Sequence, residues 1–183
     1  MSFDFGSNFW DNRYGAGDDY VFGTAPNDFL AACTPHIPAG PVLCLAEGEG
    51  RNSVHLARHG HAVTAVDQSA VGLSKTERLA ASHKVTVTTH LADLADYPIA
   101  PGTWSAIVSI FCHLPPGLRQ EVHARAAAGL VMGGVIVLEA YSPDKEFPGI
   151  KWDVAKSIKR PVIEGSGHTG PAAVTQLFGR RIA

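Results

Sequence analysis

The stretch Val42-Leu43-Cys44-Leu45-Ala46-Glu47-Gly48-Glu49-Gly50-Arg51-Asn52 decides the fold. Residues 41–46 form a short apolar run, bounded by Pro38-Ala39-Gly40 before it and Gly48-Glu49-Gly50 after it. Such a run reads as a fully buried strand. Residues 51–59 read as a helix that stops at Gly60. Two glycines two apart, after a strand and before a helix, allow a tight turn and a close backbone approach to a ligand.

Working outward, the same alternation repeats. Residues 62–66 are a second strand, and Ser69 caps a helix that runs to about residue 82. Residues 85–89 and 105–111 are the third and fourth strands. Residues 116–130 are a helix ended by Met132-Gly133-Gly134, and 135–141 are the fifth strand. Strands alternating with helices imply βαβ units and a parallel sheet with right-handed crossovers. Residues 151–159 and 172–180 read as an antiparallel hairpin around a long loop, Glu164-Gly165-Ser166-Gly167-His168-Thr169-Gly170. The expected fold is α/β: a Rossmann-like, doubly wound, mostly parallel sheet of about seven strands ending in that hairpin.

One connection is short. Nine residues, Ser142-Pro143-Asp144-Lys145-Glu146-Phe147-Pro148-Gly149-Ile150, separate Tyr141 from Lys151. A parallel crossover normally takes a dozen residues or more, usually with a helix. Either an apolar patch is left bare on one sheet face, or the stretch carries further residues.

The 183 residues suit a single domain. Residues 1–25 differ in character: Phe9, Trp10, Tyr14, Tyr20 and Phe22 stand among Gly6, Gly15, Gly17 and Gly23. They read as an ordered arm, with a short helix near residues 9–14, that lids the ligand site. Thr24 reads as the cap of a following helix with Pro26 in its first turn. Net charge is −2, so bulk charge gives a nucleic-acid partner no support. Five aspartates precede residue 32, and seven bases lie in the tail from Lys145, including Lys151, Lys156, Lys159 and Arg160. This asymmetry reads as two solvated faces or as a basic rim that attracts an anionic substrate. Cys33, Cys44 and Cys112 are an odd set without CxxC spacing, so reduced thiols are expected. With neither a long apolar run nor a basic leader, a cytoplasmic protein without a membrane partner is expected.

Asp67 ends the second strand, nineteen residues after Gly48. An acid there accepts both hydroxyls of a ribose in nucleotide-binding α/β folds. A dinucleotide fingerprint wants a third glycine where Ser53 stands, and a bare helix N-terminus facing pyrophosphate. Glu47 and Glu49 would repel a pyrophosphate and welcome a cation. S-adenosyl-L-methionine, which has a ribose, an adenine, a sulfonium and no phosphate, fits better than NAD.

The segment resembles motif I of the class I S-adenosylmethionine-dependent methyltransferases. Arg51-Asn52-Ser53 with Leu56-Ala57 and Gly60 resembles the tellurite-resistance/thiopurine-methyltransferase-like branch. So do Phe9-Trp10-Asp11-Asn12-Arg13-Tyr14, the run Tyr20-Val21-Phe22-Gly23-Thr24-Ala25-Pro26-Asn27-Asp28-Phe29-Leu30, Asp93-Leu94, Ser109-Ile110-Phe111-Cys112-His113-Leu114-Pro115 and Leu130-Val131-Met132-Gly133-Gly134. The resemblance implies that Glu47, Gly48 and Gly50 line the methionine part, and that Asp67 takes the ribose with Gln68 beside it. It implies that Asp93 and Leu94 meet the adenine, that Ser109 and Ile110 lie under the sulfonium, and that Tyr20 and Phe22 cover the cofactor. Cys44 stands where the family has an acid, and Ala46 where it has the first small residue of the loop.

His113 follows the fourth strand, where open α/β sheets place ligands, and is a candidate to deprotonate or orient a nucleophile. Glu164 and His168, in the hairpin loop, occupy the place where tellurite-resistance relatives carry residues near the substrate. His55, His59 and His61 lack an accompanying carboxylate, so no metal is expected. Cys112, Trp10, Tyr14 and Trp104 read as packing residues. His113-Leu114-Pro115-Pro116 is not the pattern that handles base amino groups, so nucleic-acid methylation is disfavoured. The expected activity is methyl transfer by in-line displacement to a small molecule such as a thiol or a metalloid oxyanion. The alternatives are cofactor binding without catalysis and an NAD-dependent oxidoreductase.

Overall fold

The structure, a computed structural model, describes residues 6–141 and 150–182; the side chains of His168 and Thr169 also lie outside what it describes. In chain order the elements are α1 (Ser7–Tyr14), α2 (Asp28–Cys33), β1 (Pro41–Leu45), α3 (Arg51–Arg58), β2 (Ala62–Asp67), α4 (Ala70–Ser82), β3 (Val87–Leu91), β4 (Trp104–Ile110), α5 (Pro116–Gly129), β5 (Leu130–Ala140), β6 (Ile150–Glu164) and β7 (His168–Arg181). The seven strands make one sheet in the order β3-β2-β1-β4-β5-β7-β6. β1 to β5 pair in parallel, and β7 runs antiparallel to both β5 and β6. This is the Rossmann-like sheet with a terminal antiparallel hairpin.

Period-two alternation along β1 sorts the core into two layers. Val42 and Cys44 pack with Leu30 of α2, Val54 and Leu56 of α3, and Leu79 of α4. Leu43 and Leu45 face the other way, onto Val122 and Ala126 of α5 and onto Leu94 and Ile99 from the connection after β3. α3 and α4 therefore cover one face of the sheet and α5 the other.

Several local expectations shift. Asn27, not Thr24, caps α2: its side chain accepts from the backbone N–H groups of Phe29 and Leu30, so Pro26 stands before the helix. β3 lies two residues later than expected. β5 begins at Leu130 and runs through Met132-Gly133-Gly134, with a register shift opposite Trp104 and Ala106. The hairpin loop is tight rather than long, because pairing continues to Glu164 and His168. The short connection after β5 falls mostly on 142–149, outside the described residues. The full sequence is continuous there, which removes the reading that further residues stand in the stretch. Among the described residues next to that connection, Leu177 of β7 is fully buried, while Tyr141 at the end of β5 stays 40% exposed. No described helix is long and apolar enough to cross a membrane.

Candidate functional site

A cavity of about 680 Å³ opens at the carboxyl ends of β1, β2 and β4. The strand order reverses between β1 and β4, which is where open α/β sheets bind ligands. Ala46, Glu47, Asp67 and Gln68 line one part of it, and Asp93 and Leu94 another. Ile110, Phe111, Cys112 and His113 form the wall that continues from β4. Trp10, Tyr14 and Phe22 come from the arm.

The β1–α3 loop is held by its own carboxylates. Glu47 Oε1 accepts from the backbone N–H groups of Asn52 (3.0 Å) and Ser53 (2.6 Å), so it caps α3 from outside the helix. Burial pushes the Glu47 carboxyl up to about 7, against the lowering effect of those hydrogen bonds and of Arg51. The N-terminus of α3 is thus already occupied by a carboxyl, and no bare helix end remains for a pyrophosphate. Glu49 behaves differently. It pairs with Lys75 at 2.9 Å, both side chains almost fully buried, and Lys75 also donates to the Asp19 carbonyl at 2.7 Å. Of the two acids, Glu47 lines the cavity and Glu49 does not.

The loop glycines also serve packing. Gly48 and Gly50 have φ of +66° and +91°. A Cβ on Gly48 would lie 2.6 Å from the Tyr14 hydroxyl, and one on Gly50 would lie 2.7 Å from the Thr76 Cα. The close approach these glycines permit is to the arm and to α4, and neither lines the cavity.

Asp67 lies at the cavity with Oδ2 accepting from the Gly48 N–H and Oδ1 from the Ser69 N–H, each at 2.8 Å. Burial raises its pKa and these backbone bonds lower it, burial being the larger effect. Three backbone N–H groups, those of Gly48, Gln68 and Ser69, thus bond the carboxylate, whose two oxygens offer about four acceptor sites. Asp93, on the exposed side, accepts from the Ala95 N–H at 2.8 Å.

The arm is anchored at the start of α4, where Asp11 Oδ1 accepts from the Ser69 hydroxyl (2.5 Å) and the Val71 N–H (3.2 Å). Trp10 stacks on Tyr14 at 5.5 Å, and Tyr14 meets Phe22 edge-on at 6.4 Å. Trp10 and Tyr14, expected as packing residues, reach the cavity; their spacing of four on α1 is the signal that puts them on one face. Tyr20 does not line the cavity. Its hydroxyl donates to the Lys75 carbonyl at 3.1 Å, and its ring lies 5.7 Å from the Lys75 ammonium.

At the end of β4, Ile110 reaches the cavity while Ser109 stays buried in the sheet. Phe111 has φ of +52°, an uncommon conformation for a bulky residue, fixed by its N–H donating to the Glu139 carbonyl at 2.7 Å. The turn brings Phe111 to 4.8 Å from Tyr141 and lays His113 parallel to the same ring at 5.7 Å. Cys112, expected in the core, is half-buried on the cavity wall. Burial pushes its thiol up to about 12, so it is no thiolate nucleophile at neutral pH. Glu164 is not a solvated loop residue: it is buried and bonds Arg51 Nη2 at 2.7 Å. Arg51 lines the cavity, which the sequence reading did not foresee. His168 pairs by backbone with Glu164, and its side chain lies outside the described residues. Among the described residues, no group of three or more His, Cys, Asp and Glu could hold a metal ion.

The family model of the methyltransferase domain matches residues 42–134, about half of the chain. No curated protein matches. Among solved structures, one from work on the conversion of a disulfide bond into a thioacetal group during echinomycin biosynthesis has a TM-score of 0.77 at 17% identity, covering 96% of this chain and 93% of the other. TehB from Haemophilus influenzae has a TM-score of 0.75 at 14% identity, covering 94% and 67%. Magnesium protoporphyrin IX methyltransferase from Synechocystis, solved with bound S-adenosylmethionine, has a TM-score of 0.69 at 13% identity, covering 96% and 94%. These likenesses share the fold, and the family match adds the chemistry: the chain belongs to the methyltransferase domain family and is an S-adenosyl-L-methionine-dependent enzyme.

Proposed function

We propose that this enzyme transfers a methyl group to a small, neutral or thiol-type acceptor bound at the Phe111–His113 end of the cavity. The observation that carries this reading is Glu47 on the N-terminus of α3. It removes the pyrophosphate site of a dinucleotide enzyme and leaves an acid beside a cationic ligand, under aromatic rings that attract a sulfonium. In this reading Asp67, with Gln68, holds the ribose, and Asp93 and Leu94 border the adenine. Glu47 faces the amino group, and Trp10, Tyr14 and Phe22 exclude water. The cofactor, when bound, supplies an electrophilic methyl on a sulfonium, and a neutral thioether leaves.

The protein's part is positioning. In this reading His113, whose ring lies flat against Tyr141, takes the proton an acceptor hydroxyl or thiol gives up as the new bond forms. The carboxyls at the cavity are Glu47, Asp67 and Asp93, and its cation Arg51 is tied to Glu164. That balance favours a neutral acceptor over a metalloid oxyanion within the tellurite-resistance/thiopurine-like branch that the motifs resemble. The test is release of S-adenosylhomocysteine from a panel of thiols, phenols and oxyanions. Turnover with neutral acceptors, reduced in His113→Ala, supports the reading; turnover with oxyanions alone overturns it.

A further inference from the structure

The terminal hairpin ends on a buried polar cluster that the methyl-transfer reading leaves unused. At its centre is Asn27, fully buried. Its Nδ2 donates at 2.8 Å to Glu139 Oε2 on β5 and at 2.8 Å to Glu164 Oε1 on β6. Those two bonds use both protons of the amide. Its Oδ1 caps α2, accepting from Phe29 at 3.0 Å and Leu30 at 3.1 Å. Its backbone N–H donates to Asn52 Oδ1 on α3 at 2.9 Å. One residue therefore ties α2, α3, β5 and β6 together.

The charges around Asn27 balance. Glu139 accepts from Arg160 Nε at 2.8 Å and from Gln176 Nε2 at 3.2 Å. Glu164 accepts from Arg51 Nη2 at 2.7 Å. Two carboxylates that both lie 2.8 Å from one nitrogen would repel each other without the amide between them. The amide thus fixes where Glu164 sits, and Glu164 holds the guanidinium of Arg51, a residue that lines the cavity. Arg51 also acts electrostatically on Glu47, four residues before it on the same wall. An acid and a base side by side match a zwitterionic amino acid: ammonium toward Glu47, carboxylate toward Arg51.

We propose that Asn27 is a positioning residue for the amino-acid end of the site, acting through Glu164 to set the Arg51 guanidinium at the cavity wall. The proposal rests on reading the cavity as the cofactor site. It gives the hairpin a role in cofactor recognition although Glu164 itself does not line the cavity.

Asn27→Asp isolates the bridge, because aspartate caps a helix as well as asparagine does. It places a carboxylate against Glu139 and Glu164, with Arg160 and Arg51 as the surrounding cations. Two probes separate positioning from general damage: S-adenosylhomocysteine, which carries the amino-acid half, and 5′-methylthioadenosine, which lacks it. Calorimetry at pH 8 is expected to show S-adenosylhomocysteine affinity reduced about tenfold or more in Asn27→Asp, with methylthioadenosine affinity within about twofold of wild type. At pH 6 part of the loss returns, as a shared proton restores a donor between the carboxylates. If Asn27→Asp does not fold, Glu164→Gln reads the same split, since it releases Arg51 while keeping the shape. Equal losses for both probes, or no loss for either, overturn the proposal. A wild-type protein that binds neither probe overturns the cofactor reading instead.

Discussion

At the loop end of the cavity, Glu47 and Asp67 each close polar contacts over a few residues, although Asp67 also reaches back nineteen residues to Gly48. Glu47 reaches Asn52 and Ser53, five and six residues on, and Asp67 reaches Ser69 two residues on. At the hairpin end, contacts of the same kind span most of the chain: Arg51 to Glu164 across 113 residues and Asn27 to Glu164 across 137. Short closures cost little chain entropy and form with the β1–α3 unit itself; the long ones exist only once the whole sheet has closed. The loop end is thus locally encoded, and the hairpin end is a consequence of the complete fold.

The largest expected effect tests the long-range side. Glu164→Ala leaves the Arg51 guanidinium buried without its partner, and loss of one member of a buried pair costs about 3–5 kcal/mol. Urea denaturation should show that loss; a change under about 1 kcal/mol would mean the hairpin is not tied to α3 in this way. Next comes the local side. Asp67→Ala should weaken S-adenosylhomocysteine binding by about 2–4 kcal/mol, through loss of a charged acceptor. It should also destabilise the fold, because the Gly48 and Ser69 N–H groups lose their acceptor. Unchanged affinity by calorimetry would remove the ribose role.

Glu47 gives a pH signature. Its folded pKa of about 7 lies above the ordinary 4.5, so the folded state holds more protons between those values. Its contribution is fully present below about pH 4.5 and is lost as pH rises through 7, on the order of 3 kcal/mol in all. Burial lowers His55 to about 4, with the opposite sign: its contribution is fully present above about 6.5 and is lost as pH falls through 4. The difference between wild type and Glu47→Gln isolates the acid. Parallel stability–pH curves for the two proteins would show that Glu47 titrates normally. The smallest effect is Gly50→Ala, about 1–3 kcal/mol by thermal unfolding, from a positive φ and the contact with Thr76. A neutral result there would mean the loop has room to shift away from α4.

The same contrast explains what the sequence could disclose. The apolar run before Gly48, the Ser69 cap and the acid at the end of β2 are signals within a few residues of their effect, and each stands where it was expected. Asn27 was missed as a cap because Thr24 offers the same chemistry three residues earlier; what selects Asn27 is its bonds to Glu139 and Glu164, which no local pattern contains. The hairpin glycines read as an open loop. Gly165 and Gly167 instead let the turn press on the arm, where the Gly167 N–H donates to the Val21 carbonyl at 2.8 Å. Glu49 looked like a ligand-facing acid because its partner, Lys75, lies twenty-six residues away on α4. Phe111 and His113 were placed by the strand that precedes them, but their alignment on Tyr141 depends on β5 lying beside β4.

The claim that a carboxyl-capped α3 makes this cavity a site for an S-adenosyl cofactor, its ammonium toward Glu47, and not for a dinucleotide is tested by titrating the wild-type protein, in parallel, with S-adenosylhomocysteine and with NAD. The expected result is saturable one-site binding of S-adenosylhomocysteine, with proton release near pH 6 as Glu47 ionises against the ligand's ammonium, and no binding of NAD. Binding of NAD, or S-adenosylhomocysteine binding that survives Glu47→Gln with the same proton release, would contradict it.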